Sequence, residues 1–96
     1  MKKMYKYKLI TTTAFKKDYK KLIKRKYDIN LLTNIVNLLL NGENLPHKNK
    51  DHALTGNWKG YRECHITPDW LLIYKIYEDK LILSLSRTGT HSDFSF

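Results

Sequence analysis

The stretch Tyr61-Arg62-Glu63-Cys64-His65-Ile66-Thr67-Pro68-Asp69-Trp70-Leu71-Leu72-Ile73-Tyr74-Lys75-Ile76-Tyr77-Glu78-Asp79-Lys80-Leu81-Ile82-Leu83-Ser84-Leu85-Ser86 decides the fold. Residues 61–67 alternate, with Tyr61, Glu63 and His65 on one side and Arg62, Cys64 and Ile66 on the other, which is the period of a strand. Pro68-Asp69 is a turn signal. Leu71–Tyr77 is apolar on both faces apart from Lys75, as a central strand would be, and Glu78-Asp79 turns the chain into Leu81–Ser86. Turns this short join only antiparallel neighbours, so the segment predicts a three-stranded meander.

Upstream, residues 43–58 contain Pro46 and several Asn and Lys residues and read as a loop. Before that loop, Ile29, Leu32, Ile35, Val36, Leu39 and Leu40 recur at helical spacing, opened by Asp28 as N-cap and closed by Gly42. An earlier stripe of Phe15, Tyr19, Leu22 and Ile23, with lysines between, is capped by Thr12 or Thr13 and ends near Lys26. Residues 5–11 have the aromatic, lysine and β-branched alternation of a strand. The expected fold class is α+β: an N-terminal strand, a two-helix hairpin, then an antiparallel β-meander. Helices should cover one sheet face and leave the other partly open for a site. The sequence has 96 residues, 42% of them hydrophobic, with no repeat or Pro/Gly/Ser-rich linker, so residues 1–96 read as one domain.

Eighteen Lys and Arg against nine Asp and Glu give a formal charge of +9, which predicts a polyanionic partner. Eleven of the basic residues fall in residues 1–26, where Asp18 is the only acid. Beyond residue 26 seven basic residues meet eight acidic ones, so the basicity belongs to one end. Lys16, Lys17, Lys20, Lys21, Lys24 and Arg25 of the first helix are the principal candidates for RNA contact, with Lys59, Arg62, Trp70 and Phe94 added from the second half. A lysine-rich face can also serve solubility alone, or meet an acidic protein. No apolar run approaches the ~18 residues of a membrane span, and the N-terminus lacks the apolar core of a signal peptide, so a cytoplasmic protein without membrane association is expected. Cys64 is the single cysteine, which excludes an internal disulfide and offers no thiolate zinc set.

Four histidines stand out, of which His47 lies in the polar loop. The others form a pattern: Asp51-His52 before the first meander strand, His65 with Asp69 and Trp70 across a turn, and Arg87 with His91 after the last strand. A meander brings these ends together. Metal-free RNA cleavage needs a base for the 2′-hydroxyl proton, an acid for the leaving 5′-oxygen and a cation for the phosphorane. Imidazoles serve the first two roles and a guanidinium the third. His52, His65, Asp69, Arg87 and His91 are therefore the candidate catalytic residues. Three histidines and an aspartate also suit zinc or manganese, although no H-x-x-x-H pair is present.

The run from Lys50 to Tyr74 combines D-H-x-L-x-G-x-W with R-x-x-H-x-x-P-D-W, and Arg87-Thr88-Gly89-Thr90-His91-Ser92 follows as R-x-G-x-H. With Phe15-Lys16-Lys17-Asp18 opening the first helix, these residues resemble the YafQ branch of the RelE/ParE toxin superfamily over nearly the whole chain. The resemblance implies a RelE-like fold and a toxin that enters the ribosomal 30S A site. There it would cleave messenger RNA to a 2′,3′-cyclic phosphate and a 5′-hydroxyl, without metal or cofactor, with preference for adenine-rich lysine codons. His52, His65, Asp69 and His91 take the family's catalytic positions, and Arg87 stabilises phosphate. The basic N-terminal segment is then expected to grip ribosomal RNA phosphates. Trp70 would stack on a base or shape the pocket, or it is a core-facing strand residue. A DinJ-like acidic antitoxin is the implied partner, and operator DNA would be bound only by the toxin–antitoxin complex. The family's H-S-x-L-F ending is altered here, since Ser95 takes the aromatic position and Phe94 and Phe96 flank it.

Two other functions fit parts of the sequence. A ParE-like gyrase inhibitor would share the fold, but that branch lacks this His/Asp set. A non-catalytic nucleic-acid-binding regulator would use the lysines and leave the histidines structural.

Overall fold

The structure, a computed structural model, describes residues 4–94. Thr12 is the N-cap of the first helix: its Oγ1 accepts the Phe15 N–H at 3.0 Å while its hydroxyl donates to the Ser86 carbonyl at 2.8 Å. Helix α1 (Thr13–Lys24) thereby starts already tied to the last strand. Its end is a Schellman closure, with Lys26 N–H on Ile23 O and Tyr27 N–H on Leu22 O. Lys26 holds φ 60 there, a left-handed position usually given to glycine. Asp28 caps α2 (Ile29–Leu40), which closes the same way on Gly42 at φ 75. The two closures predict different responses to glycine. Lys26→Gly relieves about 1–2 kcal/mol of left-handed strain and adds about 0.4–1 kcal/mol of unfolded-state entropy. Urea unfolding should show a net gain, and a loss would mean that the lysine is unstrained.

The strands are β1 (Lys8–Thr11), β2 (His52–Ala53), β3 (Arg62–Thr67), β4 (Trp70–Tyr77) and β5 (Ile82–Gly89). They form one sheet in the order β1-β5-β4-β3-β2. The meander β3-β4-β5 is antiparallel as expected, whereas β1 runs parallel to β5, with both helices and strands β2 to β4 intervening in the chain. Four differences from the sequence reading matter. The first strand begins at Lys8 rather than Tyr5, because the Tyr7 N–H is taken by the Leu40 carbonyl at the end of α2, at 3.1 Å, rather than by β5. The presumed loop 43–58 contains β2, which pairs His52 with Glu63. Leu81 belongs to the turn, at φ 51. The last strand continues to Gly89, so Arg87 lies inside it rather than after it.

The core lies between the helices and one sheet face. Phe15 and Leu22 of α1 and Leu32, Ile35, Val36, Leu39 and Leu40 of α2 pack with Cys64, Ile66, Trp70, Leu72, Tyr74, Leu83 and Leu85. Burial pushes the Cys64 thiol up to about 12, so it behaves as a small apolar side chain. A bulge re-aims the end of β5. Tyr74 pairs with Leu85 and Ile73 with Arg87, which leaves Ser86 as the extra residue. Simple alternation from Leu83 and Leu85 would turn Arg87 into the core. The inserted residue turns it to the other face and gives Thr88 the inward place. Among the described residues no helix is long and apolar enough to cross a membrane.

Candidate active site

Register across the sheet gathers the site. His52 pairs with Glu63, Glu63 with Ile73 and Ile73 with Arg87, while His65 pairs with Leu71. Paired residues share a face, so His52, Glu63, His65 and Arg87 all lie opposite the helices. The His52 and His65 ring centroids are 6.5 Å apart, and those of His65 and His91 are 5.8 Å apart. Three imidazoles thus line one surface.

Their partners determine which nitrogens face outward. Nδ1 of His52 lies 2.6 Å from the Lys50 carbonyl, and Nδ1 of His65 lies 3.3 Å from that of Pro68. Carbonyls only accept, which assigns the proton to Nδ1 in both rings. Both Nε2 atoms turn toward one Glu63 oxygen, at 3.5 and 3.9 Å, within ion-pair range but longer than a good hydrogen bond. Asn49 steadies this strand from beneath, donating to the His65 carbonyl at 2.7 Å. His91 opens a short 3-10 turn (His91–Asp93), and both its Nδ1, at 2.7 Å, and its backbone N–H, at 3.3 Å, meet Asp69 Oδ1. Hydrogen bonding from His91 holds the Asp69 carboxyl below the usual carboxylate range.

Arg87 adjoins this surface through a different partner. The buried carboxylate of Asp18 on α1 accepts Arg87 Nε at 2.7 Å, Nη2 at 3.1 Å and the Thr88 N–H at 3.1 Å. That hydrogen bonding raises the guanidinium above its ordinary value. Phe94 lies 5.1 Å from the guanidinium carbon, which places this aromatic beside the site. Ser95, at the family's aromatic position, and Phe96, the other aromatic beside it, lie outside the described residues.

The five candidate catalytic residues therefore converge, and several candidate RNA contacts do not. Trp70 is 2% exposed and points into the core: its Nε1–H donates to Thr88 Oγ1 at 2.9 Å, and its ring meets Tyr27 edge-on at 5.0 Å. Its role as a base-stacking platform is corrected to a packing role. Arg62 shares the helix-side face with Tyr74, and its guanidinium spans both Asp51 oxygens at 3.3 Å, away from the histidines. Tyr74 donates to the same Asp51 at 2.5 Å, and burial raises its phenol. Arg25 is likewise engaged, by Asp93. Lys21 borders the cleft that holds Arg87, Gly89 and Asp93, whereas Lys16 and Lys20 flank an apolar groove with Phe15 and Tyr19. Lys17, Lys24 and Lys59 are exposed. Among the described residues no three His, Cys, Asp or Glu side chains are grouped to hold one metal ion.

Two site residues escaped the sequence reading, and both left a signal. Glu63 stands two residues before His65, on the same face of a strand. Asp18 is the lone acid among eleven bases and falls in the buried stripe Phe15, Asp18, Leu22.

Residues 7–95 match the family described as bacterial toxin of type II toxin-antitoxin system, YafQ. The class of protein is thus the toxin component of such a pair. The mRNA interferase toxin YafQ of Escherichia coli K12 is 51% identical over 79 residues, covering 81% of this chain and 84% of that protein. The E. coli DinJ-YafQ toxin-antitoxin complex contains a chain 40% identical, with a TM-score of 0.86, covering 95% of this chain and 99% of that one. A metal-bound toxin from Helicobacter pylori is 40% identical with a TM-score of 0.87, over 93% of this chain and 99% of that one. The chain belongs to the YafQ toxin family.

Proposed function

We propose that this chain is a ribosome-dependent endoribonuclease that cuts messenger RNA in the 30S A site and so arrests translation. The observation that supports it most is the row of three imidazoles on one open face, two of them turned to Glu63 and the third held by Asp69, beside the Arg87 guanidinium. One imidazole takes the 2′-hydroxyl proton as O2′ attacks phosphorus. The P–O5′ bond breaks, and a second imidazole supplies the proton that the 5′-oxygen needs, leaving a 2′,3′-cyclic phosphate and a 5′-hydroxyl. His91 on Asp69 forms one proton-transfer partner, and His52 and His65 around Glu63 form the other. Asp18 occupies Nε and Nη2 of Arg87 and leaves Nη1 for a phosphate oxygen, as charge builds on the phosphorane. Phe94, resting on Arg87, flanks the reacting nucleotide.

The exposed lysines of α1 supply salt-sensitive attraction to ribosomal RNA without sequence choice. A cognate acidic antitoxin, DinJ-like by similarity to the E. coli pair, covers the basic or catalytic surface, and the complex rather than the free toxin binds operator DNA. The protein acts in the cytoplasm, where its ribosomal target is, and needs no metal.

Purified chain incubated with ribosomes programmed with a defined message should yield cyclic-phosphate and 5′-hydroxyl ends at A-site codons. Toxin dialysed against a chelator and returned to magnesium-containing ribosome buffer should keep its full rate. A loss restored by zinc or manganese would overturn the metal-free chemistry.

A further inference from the structure

The most exposed of the three site histidines is His91. It follows β5 directly and opens a turn of only three residues near the end of the described chain. Its pairing with Asp69 is exposed, the two side chains being 58% and 70% accessible. Ion pairs this open to water contribute little to holding a segment in place. Something else must keep the imidazole at the reacting face.

We propose that Asp93 is a positioning residue for His91, its carboxylate locking the turn His91–Asp93 to Thr90 on one side and to Arg25 of α1 on the other. Asp93 Oδ2 accepts the Thr90 N–H at 2.8 Å and the Thr90 hydroxyl at 3.0 Å, and the Asp93 N–H returns to the Thr90 carbonyl at 3.0 Å. The turn is closed on its own N-cap. Arg25 Nη1 then meets Oδ2 at 3.1 Å and Nη2 lies 3.4 Å from Oδ1.

The surroundings are shaped for this carboxylate. A Cβ on Gly89 would stand 2.8 Å from Asp93 Oδ2 and 3.2 Å from Asp93 Cβ, so the glycine leaves the space the side chain fills. Arg25 is seven residues beyond Asp18, which puts both on one face of α1. The helix and its C-cap residue Arg25 thus reach the C-terminal segment twice, through Asp18 to Arg87 of β5 and through Arg25 to Asp93 of the turn that follows. Arg25 and the Thr90 donors hold the Asp93 carboxyl down to about 2, so it remains ionised at any working pH. The Arg25–Asp93 pair is itself partly open to water, the side chains being 44% and 26% accessible, so the Thr90 bonds carry most of the hold.

The catalytic part of this inference rests on the nuclease reading above, and the test separates the two. Asp93→Ala, Asp93→Asn and Arg25→Gln are compared with wild type in two measurements. The first is the imidazole ¹H–¹⁵N correlation of His91 in the free protein, which reports its Nδ1 bond to Asp69 without any RNA. The second is cleavage on programmed ribosomes, resolved into kcat and KM. Asp93→Ala should lose the wild-type His91 pattern and drop kcat by roughly tenfold to a hundredfold at nearly unchanged KM, since small misplacements of a reacting group cost that much. Asp93→Asn, which keeps an acceptor for Thr90, should fall between. Should the alanine variant fail to fold, the other two variants carry the same readouts. A wild-type His91 pattern in the folded variants, or a loss confined to KM, overturns the proposal. A changed pattern together with a wild-type protein that cleaves nothing would support the positioning and sink the nuclease reading instead.

Discussion

His91→Ala is expected to lower messenger cleavage on programmed ribosomes by about a thousandfold, in the range a positioned general acid or base contributes. The fold should be indifferent to it, because the His91 side chain is 58% exposed and, among the described residues, its side-chain hydrogen bond is to Asp69 alone. Removing the ring leaves Asp69 hydrated rather than orphaned, so the melting temperature stays within a degree or two of wild type. Binding to ribosomes should persist, since the α1 lysines are untouched. The loss falls on kcat. Near-normal cleavage by a folded His91→Ala protein would remove this imidazole from the chemistry.

The second large effect is on stability. Trp70→Ala should cost about 3–5 kcal/mol, the usual range for emptying a large aromatic site in a core. In a domain of this size that lowers the melting temperature by on the order of 20 °C. The ring fills space between Tyr27 and the sheet, and its N–H satisfies Thr88 Oγ1, which in turn donates to the Leu71 carbonyl at 2.8 Å. Trp70→Phe keeps most of the volume and loses one hydrogen bond, so it should cost only ~1–2 kcal/mol. Comparable melting of Trp70→Ala and wild type, with cleavage lost, would return this residue to the RNA.

The two substitutions mark what a one-dimensional reading can and cannot reach. Helices α1 and α2 were legible because their apolar stripes have the period of a helix and their ends carry Thr12, Asp28 and Gly42. The meander was legible because two turn dipeptides separate one alternating run from two more apolar ones. Strand β2 was not, being two residues long and defined only by pairing with β3. Nor was the parallel pairing of β1, which depends on where the helical hairpin returns the chain. The site shows the same division. Residue chemistry singled out His52, His65, Asp69, Arg87 and His91; the register brings His52, His65 and Arg87 to one face, and His91, bonded to Asp69, lies beside His65. The face that Arg87 takes depends on the bulge at Ser86, and no alternation pattern announces a bulge. Trp70 and Arg62 have the chemistry of RNA contacts, and only burial and the Asp51 partner show that the fold uses them itself.

The central claim is that the histidine face cuts messenger RNA on the ribosome. Mapping 5′ ends of messages in cells that express the chain, wild type beside His91→Ala, addresses it most directly. The account predicts codon-phased 5′-hydroxyl ends within reading frames for the wild type and their disappearance in the variant. Growth arrest without such ends, accompanied by a DNA-damage response, or ends that persist in a soluble His91→Ala protein, would contradict it.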